Sequence, residues 1–357
     1  MNKHKVLDLF CGCGGLSEGF RLAGYDIVMG IDINEPAIRT YNYNFGEGKG
    51  VCCDLLNYDE SQIVHSRAMK EKVDVIIGGP PCQGFSAANR WNDTTLDVRN
   101  KLFFEYVKFV DLLKPKAIVI ENVRQILTQN NGYACKKIYE IFESRGYTVN
   151  HCVLNAEEYG VPQKRRRNFF VILKNKKFDF NTLKKTRIYN VKEAIYDLYN
   201  YEKNESGEYK GKNPSNLNDF LKYARNSDMI MNHYITYPTM ATQLKMSYVP
   251  QGGNWENIPP ELFKTIRTNR HSSAYRRLDE TQPSVTIDTG NAHSNYFHPI
   301  FNRIPTVREA ARLQSFSDAF VFQGSKSEQY RQVGNAVPPL LSKALASAIL
   351  EVIDDEE

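Results

Sequence analysis

The first half of the chain alternates short apolar, β-rich runs with amphipathic stretches. The runs Lys5–Phe10, Ile27–Ile31, Gly50–Cys53, Val73–Gly78, Ala117–Glu121, Tyr147–Leu154 and Phe169–Leu173 read as strands. Between them, Leu16–Ala23, Glu35–Asn44, Leu102–Leu113 and Tyr133–Arg145 read as helices. Within the third, Leu102, Phe103, Tyr106, Val107, Phe109, Val110 and Leu113 recur at helical spacing and form a wide apolar face. Strand and helix in alternation predict an α/β fold, a doubly wound and mostly parallel sheet. Ligands are then expected at the carboxyl ends of the strands.

After Leu173 the rhythm breaks. Lys174–Lys185 is charged, and Asn200–Asn218 is rich in Asn, Glu, Lys, Gly and Ser, as loops are. From there to about Asn302 the chain offers Tyr, Asn, Thr and Pro without periodicity. Helical spacing returns at Thr306–Leu313 and in a closing helix, Leu340–Ile353. This predicts a large domain over 1–186 completed by 330–357, a smaller one over 187–304, and a hinge over 305–329. No internal repeat is present, and the acidic end Asp354–Glu357 reads as a solvated tail.

Composition narrows this little. The 357 residues are 41% apolar and 24% charged, ordinary for a soluble globular protein. A net charge of +5 permits a polyanionic partner without demanding one. Seven cysteines, an odd number and several inside apolar runs, suit a reducing cytoplasm better than a disulfide framework. The apolar stretch near the start, Val6 to Phe10, is short and runs into Gly and Cys, so neither a signal peptide nor a membrane span is expected.

Chemistry concentrates at the predicted strand ends. The first strand runs into Cys11-Gly12-Cys13-Gly14-Gly15 and a helix, a turn that lets backbone approach a ligand and leaves helix amides free. Asp32 ends the next strand, where a carboxylate can bind ribose hydroxyls, and Asp54 follows a third. The same turn also serves as a purely structural one, and its spacing departs from the dinucleotide fingerprint. Cys11 and Cys13 with Cys52 and Cys53 lack zinc-type spacing, so no metal is expected. Gly78-Gly79-Pro80-Pro81-Cys82-Gln83 presents one thiol on a rigid turn. Glu121-Asn122-Val123 ends a further strand, and Gln163-Lys164-Arg165-Arg166-Arg167 precedes the last.

In this order, and together with Asp8-Leu9-Phe10, Arg308-Glu309-Ala310-Ala311-Arg312-Leu313-Gln314 and Gln332-Val333-Gly334-Asn335-Ala336-Val337-Pro338-Pro339, these blocks resemble the DNA (cytosine-5)-methyltransferases of bacterial restriction-modification type. The match spans the chain except about Arg187–Asn302. The resemblance implies a class I, Rossmann-like methyltransferase fold using S-adenosylmethionine and releasing S-adenosylhomocysteine. It implies that Phe10, Gly12, Cys13, Gly15, Asp32, Ile33, Asp54, Leu55, Pro81, Leu102, Asn335 and Ala336 line the cofactor pocket. Ile33 stands where some members carry an aromatic. It also implies that the closing helix packs back on the N-terminal domain.

The implied chemistry follows from the ring. Carbon 5 of cytosine is too poor a nucleophile until a thiolate adds to carbon 6, the task of Cys82. Glu121 would donate at ring nitrogen 3, Arg165 would hold the exocyclic oxygen, and Arg167 would orient Glu121. The target base must be extruded from duplex DNA. The region Arg187–Asn302 would hold a target-recognition domain, with Lys245–Trp255 and Asn269–Arg277 offering side chains that can read bases and phosphates. The enzyme would act as a cytoplasmic monomer, and a cognate restriction endonuclease for the same site is a candidate partner. Two rivals are the tRNA-methylating branch of the family and, from another class, a NAD-dependent dehydrogenase. The second leaves the Pro-Pro-Cys-Gln and Glu-Asn-Val blocks unexplained. A catalytically silent DNA-binding relative is disfavoured because both Cys82 and Glu121 are present.

Overall fold

The computed structural model describes residues 3–58, 70–81, 98–204, 206–211, 216–263, 274–289 and 296–354. Two compact units divide the chain. One comprises Met1–Asn155, Arg166–Lys185 and Pro339–Glu357, and the other comprises Ala156–Arg165 and Thr186–Pro338.

The first unit is built on a seven-stranded sheet in the order β3-β2-β1-β4-β5-β7-β6. Its strands are β1 (Lys5–Leu9), β2 (Asp26–Asp32), β3 (Gly50–Cys52), β4 (Val75–Gly78), β5 (Ala117–Asn122), β6 (Tyr147–Asn155) and β7 (Arg166–Lys174). All pairings among β1 to β5 are parallel, whereas β7 runs antiparallel between β5 and β6. Hence the ends of β1, β2, β4 and β5 share one edge. The Asn122↔Asn168 register brings the start of β7 to that edge too.

Central strands such as β4 are buried along their whole length, which is why they read as unbroken apolar runs. Helices α1 (Gly15–Leu22), α2 (Glu35–Phe45), α3 (Val98–Leu113) and α4 (Tyr133–Glu143) follow their strands. Phe103, Tyr106, Val107, Phe109 and Val110 of α3 join Leu7, Ile76, Ile118 and Phe170 of the sheet in one core. Asn34 caps α2 by accepting from the Ala37 amide at 3.0 Å.

In the second unit regular structure is short: α5 (Val191–Ile195), α6 (Asp219–Ala224), α7 (Met240–Ser247), α8 (Val307–Leu313), α9 (Lys326–Asn335) and two small ribbons. Its interior holds ion pairs among buried apolar side chains such as Phe220, Leu313 and Phe316. Every residue of α8 is buried. Arg312 forks onto Asp318 at 2.9 and 2.7 Å and reaches Asp197 at 2.6 Å. Arg303 forks onto Glu309 at 2.7 and 2.8 Å. Pairing offsets the cost of burying these charges among the apolar side chains around them. The stretch read as a hinge, 305–329, therefore clusters with 186–304, and so does 330–338, while 156–165 joins from the other side of the sequence.

The chain returns to the first unit as α10 (Pro339–Asp354), which lies on α1. Contact is close because Gly19 has no side chain: a Cβ there would run into Ser342. The Ser342 hydroxyl donates to Leu16 O at 2.7 Å, and the Tyr25 hydroxyl donates to Ala346 O at 3.1 Å.

Candidate active site

The glycine loop leaves β1 with Phe10 at φ 61°, a left-handed turn that ends the strand. The Cys11 amide donates to Ile31 O at 3.1 Å and the Gly14 amide to Cys11 O at 2.9 Å. Gly14, at φ 97°, caps α1, and a side chain there would strike Phe45 and Tyr41. Among the described residues, nothing comes within 4 Å of where a Cβ on Gly12, at φ 54°, would lie. The Gly12 amide donates to Asp32 Oδ2 at 2.8 Å, and Asp32 Oδ1 accepts from the Asn34 amide at 2.8 Å. Asp32 thus ties the end of β2 to the loop, and burial raises its carboxyl above the usual range.

Other residues expected in this pocket gather around the loop or sit at the neighbouring strand ends. Ile33 is 68% exposed, and Leu55 is buried. Asp54 accepts from the Leu56 amide at 3.0 Å and from Asn57 Nδ2 at 2.7 Å. Phe10 and Leu102 pack at the margin of the sheet core. Cys13 is buried, which pushes its thiol up to about 12, and Gly15 opens α1.

A second loop follows β4. A Cβ on Gly78 would overlap Leu9 O, so only glycine lets β4 end so close to β1. A Cβ on Gly79 would lie 3.2 Å from Glu121 Oε2, and Asn122 Nδ2 donates to Pro80 O at 3.0 Å. The end of β5 therefore clamps the turn that leads through the half-buried Pro81 to Cys82. Cys82 itself lies outside the described residues. Glu121 Oε1 meets Arg167 Nε at 2.9 Å, with both side chains less than a fifth exposed. The antiparallel insertion of β7 beside β5 makes this pair.

Arg165, two residues earlier, goes elsewhere. It is 1% exposed and donates to Ile287 O at 3.0 Å and Gly334 O at 2.8 Å. Its guanidinium binds carbonyls of its own unit, and β7 begins only at Arg166. The Gln163 side chain accepts from the Ile287 amide at 3.0 Å and donates to Gln314 Oε1. Gln314 donates to Ala336 O at 2.6 Å, and Asn335 stays exposed at the end of α9. Three blocks far apart in sequence meet in this unit, an arrangement that no local spacing could reveal.

A profile of C-5 cytosine-specific DNA methylases matches residues 4–351. The chain belongs to this family. It is 38% identical to the type II methyltransferase M1.HphI of Haemophilus parahaemolyticus, over 98% of this chain and 87% of that one. It is 34% identical to the type II methyltransferase M.DdeI of Desulfomicrobium norvegicum, over 96% and 88%. Among solved structures, one prophage-encoded protein (E. coli) described as a DNA modification methyltransferase superposes with a TM-score of 0.80 at 26% identity, covering 99% of this chain and 100% of that one. The S. pombe Dnmt2 methyltransferase shares the fold, with a TM-score of 0.63 at 18% identity over 99% and 100%. The sheet order with its single antiparallel insertion is thus the methyltransferase fold of a DNA methylase. The Glu121–Arg167 pair stands on the edge where such folds carry their chemistry.

Proposed function

We propose that this DNA methylase transfers a methyl group from S-adenosylmethionine to carbon 5 of a cytosine flipped out of a specific duplex sequence, and supplies the modification half of a restriction-modification pair. The observation that carries the reading is the Glu121–Arg167 pair at 2.9 Å, beside a turn clamped by Asn122 and leading to Cys82.

The glycine loop fits such a donor. Among the described residues nothing crowds Gly12, and Asp32 offers a carboxylate at the adjoining strand end. When bound, the donor supplies an electrophilic methyl on a positively charged sulfur. The Cys82 thiolate adds to carbon 6, Glu121 gives a proton to ring nitrogen 3, and carbon 5 becomes the nucleophile that takes the methyl. Loss of the carbon 5 proton to a base then expels the thiolate and restores aromaticity. Arg167 holds Glu121 in the geometry for donation. Extrusion of the base is required because carbon 5 and carbon 6 are otherwise stacked within the helix.

Bisulfite sequencing of plasmid DNA from cells expressing the chain tests this. The expected result is conversion-resistant cytosine within one recurring sequence. With Cys82→Ala, methylation should vanish while cofactor and DNA binding persist. Absence of methylcytosine in DNA, with transfer to tRNA instead, would overturn the substrate assignment.

A further inference from the structure

Asn168 is a polar residue where the sheet core is otherwise apolar. It lies near the start of β7 and is 0% exposed. Neither Oδ1 nor Nδ2 of its carboxamide has a hydrogen-bond partner among the described residues. The ladder fixes its place. Successive side chains on a strand alternate between faces, and residues directly opposite each other share one. Ile118 stands opposite Ile172, Ile120 opposite Phe170, and Asn122 opposite Asn168. The first two pairs belong to the apolar core. Asn168 therefore sits on that same face, one pair further along, while Glu121 and Arg167 belong to the other. A buried amide without partners is costly on both its donor and its acceptor side, and calls for a reason.

The group best placed to satisfy it is spent elsewhere. Opposed Cβ atoms in such a ladder stand about 4.5–5.5 Å apart, near enough for two carboxamides to bond. Asn122 instead turns its side chain to the strand end. Its Nδ2 donates to Pro80 O at 3.0 Å, and its Oδ1 accepts from the Val123 amide at 3.0 Å. Val123 is 38% exposed, so loss of that bond opens its amide to water. Two arrangements of Asn122 thus compete. One holds the turn and leaves Asn168 unsatisfied; the other pairs with Asn168 and lets go of Pro80 and Val123. Each makes hydrogen bonds that the other forgoes, and two packings close in energy are what a switching element needs.

We propose that Asn168 is a positioning residue: it is the alternative partner of Asn122, and it makes the Asn122–Pro80 contact a latch that opens rather than a fixed clamp. On opening, the Asn122 side chain rotates and its carboxamide bonds that of Asn168. The turn Gly79-Pro80-Pro81 loses a tie to β5 and gains freedom to adjust as a base is taken up beside Cys82. Only this last step rests on the methyl-transfer reading. The apolar packing of Phe170 and Ile172 holds β7 in both arrangements, so the Glu121–Arg167 pair on the opposite face keeps its geometry.

The test replaces Asn168 with leucine, which has the same shape and no polar atoms. Asn168→Leu should raise the melting temperature by a few degrees, because a buried unsatisfied group is gone. It should slow native-state hydrogen exchange of the Val123 amide by about tenfold, since the open arrangement has lost its hydrogen bond. Methyl transfer to DNA should fall several-fold in kcat with KM for DNA unchanged; an unaltered kcat would remove the latch from turnover. A more stable variant whose Val123 amide exchanges at the wild-type rate or faster would overturn the latch itself. So would a variant that melts lower, because Asn168 would then already have a partner at rest, such as a buried water. If Asn168→Leu does not fold, the wild type decides. Relaxation dispersion of its Asn122 side-chain amide should show exchange between microseconds and milliseconds, and a flat profile would overturn the proposal. A wild type that transfers no methyl group to DNA would instead count against the methyl-transfer reading, with the latch still decided by the exchange of Val123.

Discussion

Replacing Arg167 tests the geometry at the centre of the proposed site. Arg167 Nε and Glu121 Oε1 lie 2.9 Å apart, with side chains 19% and 16% exposed. At an effective dielectric of about 20, unit charges at that separation attract by roughly 6 kcal/mol before desolvation is subtracted. Desolvation and side-chain ordering remove much of this, and close charged hydrogen bonds retain about 1.5–3 kcal/mol of coupling. If the pair acts as one catalytic device, Arg167→Ala should lower kcat by about 10- to 100-fold, the rate equivalent of that energy. Arg167→Lys should recover only part, because an ammonium cannot reproduce the planar guanidinium donor. A double-mutant cycle with Glu121→Gln, read as kcat for transfer of tritiated methyl to DNA, gives the coupling directly. Once Arg167 is gone, the second change should cost far less than it does alone. Losses that simply add, within about 0.5 kcal/mol, would refute the claim that Arg167 works through Glu121.

Three further outcomes follow from the packing. Gly78→Ala should destabilise the first unit by more than about 3 kcal/mol in a denaturant melt, because the new Cβ meets the backbone carbonyl of Leu9, which cannot step aside; a melt unchanged from wild type would contradict the strand spacing. Asp318→Ala leaves Arg312 buried with half its countercharge removed and should cost about 3–5 kcal/mol, visible as early proteolysis of the second unit. Burial pushes His233 down to about 4, with Arg303 and Arg312 adding to the fall and Glu309 opposing it. Its folded value lies below the unfolded one of about 6.5, so stability present above that value is lost as pH falls towards 4, by about 3 kcal/mol in all. His233→Gln should flatten this part of the acid limb in urea melts, and an unaltered slope would exclude His233 as its source.

Much of this molecule is written in local pattern. All seven sheet strands are legible in the sequence, the central ones most clearly, since a strand covered on both faces has no polar alternation to disguise it. Observed ends differ by up to three residues: β4 starts at Val75 rather than Val73, and β7 at Arg166 rather than Phe169. The turn chemistry of Gly12, Gly14 and Gly78 is equally local, because left-handed backbone favours glycine and close backbone approach requires it.

Tertiary structure alone decided which partners each arginine meets. Arg165 and Arg167 stand two residues apart in one basic run, and spacing cannot separate them. Contacts with Ile287 and Gly334, 122 and 169 positions away, consign the first to the second unit. The antiparallel seat of β7 delivers the second to Glu121. The ionic interior around α8 was hidden for the same reason: Arg308, Glu309 and Arg312 look like an exposed face until Asp197, Asp318 and Arg303 arrive from elsewhere in the chain. Propensity and turn chemistry act over a few residues and can be read along the chain. Burial of charge is decided by distant partners, and only folding brings those partners together.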